Sequence, residues 1–151
     1  MIRDDINNAL KQAMKAKDDR RVSTLRLVNS ALKNADIDAR GQGKAPLADD
    51  EVLGLLQKMI KQRRESIDLY EKGGRAELAQ QERDEIAIIA AYLPKQMSED
   101  EVKFAIAQAI QETGAVGMRD MGKVIGALKG KYAGKMDFAK ASALVKGALS
   151  G

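Results

Sequence analysis

The chain has 151 residues, with 26 lysines and arginines against 22 aspartates and glutamates, for a formal net charge of +4. It contains neither cysteine nor histidine, which excludes disulfides, thiolate chemistry, the usual general base and the commonest metal ligand. Aromatic residues make up only 3 % against 44 % hydrophobic, and a balance rich in Ala, Leu, Ile, Lys and Glu favours helices over strands.

Ile2, Ile6, Leu10, Ala13 and Met14 recur at helical spacing and predict an amphipathic helix to about Lys17. Asp18 or Asp19 caps a second helix with Leu25, Val28, Leu32 and Ala35 as its apolar stripe. Gly41 to Pro46 reads as a loop, after which Asp49 or Asp50 caps a longer helix carrying Val52, Leu56, Met59, Ile60, Ile67 and Tyr70 on one side. Gly73-Gly74 stops it. A fourth helix turns Leu78, Ile86, Ile89 and Leu93 inward and ends at Pro94.

Pro94 to Met97 is the expected domain boundary. Ser98-Glu99-Asp100-Glu101 is a capping box that starts a fifth helix, with Val102, Ile106, Ala109 and Ile110 inward and Gly114 as its stop. A sixth, from about Met118 to Leu128, buries Met118, Met121, Val124, Ile125 and Leu128. A seventh, from about Phe138, buries Phe138, Ala141, Leu144, Val145 and Leu149 behind an Asp137 cap. The expected fold is therefore all-α, a four-helix domain over residues 1–94 and a three-helix bundle over residues 95–151. The longest apolar run, Ile86 to Leu93, is too short to span a bilayer and no apolar leader stretch is seen, so a cytoplasmic protein without membrane contact is expected.

Charge is uneven along the chain. Residues 1–94 hold 17 basic and 16 acidic groups, whereas from Thr113 onward there are 7 basic and 2 acidic. Within that basic third, Met121 to Lys135 packs four glycines and four lysines into a helix-compatible segment. With Met118 as origin and about 100° per residue, Gly122 and Gly126 fall beside the apolar stripe, bordered outward by Arg119 and Lys123. Two readings stand: a bare strip where a phosphate backbone lies against flanking cations, or a groove for a neighbouring helix. Lys129, Lys131 and Lys135 surround Tyr132, which either stacks on a splayed base or anchors the turn by packing. The candidate nucleic-acid-binding residues are Arg119, Gly122, Lys123, Gly126, Lys129, Lys131, Tyr132 and Lys135.

Arg63 projects into the apolar stripe of the third helix, and an ion pair with Glu82 or Glu85 is favoured over a phosphate site. Paired carboxylates such as Asp49-Asp50 and Glu99-Asp100 stand at helix starts, where the helix dipole accounts for them. The serines show no nucleophile spacing, and no phosphate-binding loop follows a strand. No catalytic residue, metal or cofactor is expected, and the chain reads as a binder.

Arg21 to Asn34 (RVSTLRLVNSALKN), Leu56 to Ile67 (LQKMIKQRRESI), Ala91 to Ser98 (AYLPKQMS) and the Met121–Lys135 segment resemble the YqeY family, in the expected order and over nearly the full length. That family is similar to the C-terminal region of GatB, a subunit of the amidotransferase acting on misacylated Glu-tRNA or Asp-tRNA. The resemblance implies a two-domain helical protein whose C-terminal bundle holds tRNA. It further implies an aminoacyl-tRNA synthetase or amidotransferase subunits as partners. ATP, Mg²⁺ and ammonia chemistry belong to a GatB domain with no counterpart here, so the implied role is tRNA-binding accessory. The alternatives are a component of a glutamine-dependent carbon-nitrogen ligase, or a synthetase-docking adaptor.

Overall fold

The structure, a computed structural model, describes residues 1–150, and among them there are seven α-helices, one 3₁₀ turn and no strand. The helices are α1 (Ile2–Lys15), α2 (Asp19–Gly41), α3 (Asp49–Lys72), α4 (Ala76–Ala90), α5 (Glu99–Thr113), α6 (Met121–Tyr132) and α7 (Phe138–Ser150). The chain divides into two compact units, Met1–Leu93 and Pro94–Gly151.

In the first unit, the Asp18 carboxylate accepts from the Arg21 N–H and starts α2. The third helix starts differently from expectation. Ala48, not Asp49 or Asp50, is its N-cap, and the Glu51 carboxylate reaches back to accept from the Ala48 N–H at 3.2 Å. Asp49 and Asp50 instead occupy the first turn, where the positive end of the helix favours them. Ile6, Leu25, Leu56 and Ile89, one from each helix, are fully buried in one core. Each such side chain contributes roughly 1.5–3 kcal/mol by leaving water. Leu78, expected inward on α4, is 38 % exposed, and the small Ala79 takes the core position beside it.

Two polar ties brace this unit. Arg3 grips Asp36 through two hydrogen bonds of 2.7 Å and also donates to the Leu47 carbonyl, so α1, α2 and the loop before α3 share one guanidinium. Arg63 on α3 is paired with Glu85 at 2.9 Å and lies 3.9 Å from Glu82, both on α4. The predicted structural ion pair is therefore present.

In the second unit, Ser98 and Glu101 form the expected reciprocal capping box, and Gly114 ends α5 in the left-handed region at φ +68°. Asp137 accepts from the Ala139 and Lys140 N–H groups at the start of α7. Val124, Leu128, Ala141 and Val145 form the centre of a second core that shares no residue with the first. Met118 and Leu144, both expected inside, are 40 % and 37 % exposed. Met118 sits in the 3₁₀ turn Met118–Asp120, whose tighter winding takes it off the α6 stripe.

Candidate nucleic-acid interface

The basic segment begins where the chain leaves the 3₁₀ turn. Asp120 is the N-cap residue of α6, and its carboxylate accepts from the Val116 N–H at 3.0 Å. That hydrogen bond, helped by the charges of Lys123 and Arg119, holds Asp120 below the usual carboxylate range. Asp120 thus keeps an anion beside the two basic residues at this end of the strip. Composition and spacing did not single it out.

Along α6, Gly122, Gly126 and Gly130 recur every four residues, roughly 6 Å apart along the axis. They are exposed, and a Cβ built on any of them would meet no atom within 4 Å. The reading of Gly122 and Gly126 as a groove for a neighbouring helix of this chain therefore does not hold. The stripe is open. Lys129 and Lys123 lie on its two sides, each about 60° from its centre at 100° per residue, and both are exposed.

The far end of the segment is more heavily engaged. Lys131 donates to Glu112 of α5 at 3.0 Å, and that bond raises its pKa, with the Glu112 charge adding to the effect. Both partners are more than half exposed, so the pair is solvent-screened and exchangeable. No periodicity links positions 112 and 131; only the packing of α5 against α6 brings the last turns of the two helices together. Tyr132 is half-buried and packs against the second core, as the turn-anchor reading has it. Lys135 is exposed.

Gly134, φ +77° and buried, makes the turn to α7 in a conformation that other residues enter with strain. Its carbonyl accepts from the Gln96 amide at 2.6 Å, and the Lys135 carbonyl accepts from the Met97 N–H at 2.9 Å. The segment preceding α5 is thereby stitched to the turn preceding α7. Arg119, Gly122, Lys123, Gly126 and Lys129 thus lie along one helix and its entry, while Lys131 is drawn toward α5 and Tyr132 toward the core.

Among the described residues no three acidic, histidine or cysteine groups gather into a metal-binding cluster. Among the described residues no helix is long and apolar enough to cross a membrane either.

The profile of the Yqey-like proteins matches residues 3–149. The chain belongs to the YqeY family. Relatives of this YqeY chain include fungal proteins named Altered inheritance of mitochondria protein 41, mitochondrial. The one from Eremothecium gossypii is 42 % identical over 84 residues, covering 56 % of this chain and 44 % of its own length. That from Lachancea thermotolerans is 40 % identical over 89 residues, covering 59 % and 46 %. That from Clavispora lusitaniae is 34 % identical over 105 residues, covering 68 % and 59 %. The chain thus spans about half the length of these relatives. Their names overturn the cytoplasmic expectation, which rested only on missing apolar segments: close relatives of a chain of this composition are mitochondrial proteins.

Proposed function

We propose that this YqeY chain is a tRNA-binding accessory protein without a catalytic centre of its own. In this reading α1–α4 form one domain and α5–α7 a second, and the second presents α6 to the tRNA backbone. The observation that supports it is the open stripe of Gly122, Gly126 and Gly130 between Lys123 and Lys129. A glycine inside a helix costs about 1 kcal/mol relative to alanine, and nothing within this chain needs the space. A phosphate backbone brought against the bare helix between two rows of cations would need it. The partners that fit are those the family resemblance implies, an aminoacyl-tRNA synthetase or amidotransferase subunits that carry out the chemistry.

Filter binding to tRNA across a salt series tests the reading. Replacing Lys123, Lys129 and Lys135 by glutamate weakens binding and flattens the slope of log K against log salt by roughly 0.9 per lost phosphate contact. Replacing Gly122 and Gly126 by alanine weakens binding while stabilising the helix. If the double-alanine protein binds tRNA as tightly as the parent, the tRNA surface lies elsewhere.

A further inference from the structure

A second surface of the C-terminal unit is built quite differently. Between α5 and α7 runs an open groove of about 410 Å³ lined by Lys103, Ile106, Ala107, Ile110, Leu144 and Ala148. The segments that lead into the two helices are tied together by the Met97 N–H, which donates to the Lys135 carbonyl at 2.9 Å. Phe104, on α5 one turn before the lining residue Ala107, is 65 % exposed, in a chain with only two phenylalanines. Leu144 adds a second large apolar side chain open to solvent. Apolar side chains adjoining one another along a furrow mark an interaction surface rather than scattered surface hydrophobics.

The chemistry of the furrow narrows its occupant. Ala107 and Ala148 on the lips, with the exposed Gly147 next to them, leave room for another backbone to come close. Lys103 is the one charged residue in the lining, and Lys140 lies one turn ahead of Leu144 along the same line of α7. Glu99 and Asp100 stand in the first turn of α5, next to its positive end. We infer that this groove receives an amphipathic helix of a partner protein. Its leucine-sized side chains, at positions i, i+3, i+4 and i+7, fill the space over Ile106 and Ile110, and an acidic residue on its flank meets Lys103 and Lys140. A fourth helix laid there completes a four-helix arrangement around α5 and α7. The groove lies between α5 and α7 and the glycine stripe on α6, so one unit can hold a protein and a polyanion together.

The test uses the ¹⁵N-labelled full chain and two synthetic 15-residue helical peptides with leucines at those positions. One peptide has glutamates on its flanks and the other lysines. The acidic peptide should shift the amides of Ala107, Ile110, Leu144 and Ala148, at least tenfold more tightly than the basic one. Leu144→Asp, at an exposed position, should abolish the shifts, and Lys103→Glu should reverse the preference between peptides. Both variants should keep the parent's thermal melt and tRNA binding. Shifts confined to other surfaces, or equal affinity of the parent and the Leu144→Asp protein, overturn the inference. So does a concentration-dependent dimer in sedimentation that Leu144→Asp dissolves, since the groove would then be covered by a second copy.

Discussion

Thr24 is fully buried in the first core, and its hydroxyl has no hydrogen-bond partner. A buried hydroxyl without a partner costs about 1–3 kcal/mol in lost hydration. Thr24→Val keeps the shape and removes that cost, so urea unfolding should show a gain of about 1 kcal/mol. No change or a loss would mean that the hydroxyl finds a partner in solution. Glycines of α6 and of the turn after it respond in opposite directions to the same replacement. Gly126→Ala should stabilise by about 1 kcal/mol, since a Cβ there meets nothing. Gly134→Ala should destabilise by about 1–2 kcal/mol, because its φ of +77° lies where a Cβ is strained. Thermal melts of the two variants must therefore move apart. Sequence alone did not separate these glycines, since all four lie in one helix-compatible run and only the backbone angle distinguishes them.

Between elements, the α3–α4 contact turns on one arginine facing two carboxylates. Glu85 holds Arg63 at 2.9 Å, and Glu85→Gln leaves a largely buried guanidinium short of its partner. A loss of about 3 kcal/mol is expected in chemical unfolding at pH 7. Glu82 behaves differently: burial first, then the neighbouring Glu85 charge, raises its pKa above the ordinary 4.5. A carboxyl with a raised folded-state pKa contributes stability below its unfolded value and loses it as pH climbs through the folded one. Glu82→Gln should therefore raise the melting temperature at pH 7 and flatten its dependence on pH just above 4.5. Asp36 has the reverse sign. The Arg3 hydrogen bond, followed by the Leu47 N–H, lowers its pKa below 3.8, so its contribution is present above that value and fades under stronger acid. The α3–α4 pair was legible beforehand because Arg63 interrupts an apolar stripe, which forces a buried partner. The Lys131–Glu112 pair was not, because two exposed charges far apart in sequence carry no such constraint. Leu78 and Leu144 show the same limit: periodicity marks a stripe, but which of its edges meets a neighbour depends on packing that only the fold supplies.

At the level of the whole molecule, two cores without a shared residue predict two separable responses. Leu128→Ala, at a position 1 % exposed, should cost about 2–5 kcal/mol in the C-terminal unit. Hydrogen exchange should then speed up across α5, α6 and α7 while α1–α4 keep their protection, and uniform loss of protection would show a single cooperative block. The order of the seven helices was readable from caps, glycines and the proline. The open faces were not, because openness is a property of what fails to pack. The stitch of Gln96 and Met97 onto Gly134 and Lys135 bears on where the chain can be cut. A fragment begun at Ser98, the tidy start of α5, leaves two carbonyls of the α6–α7 turn without donors. One begun at Pro94 carries its own clasp, so four residues that look like linker decide whether the isolated bundle closes.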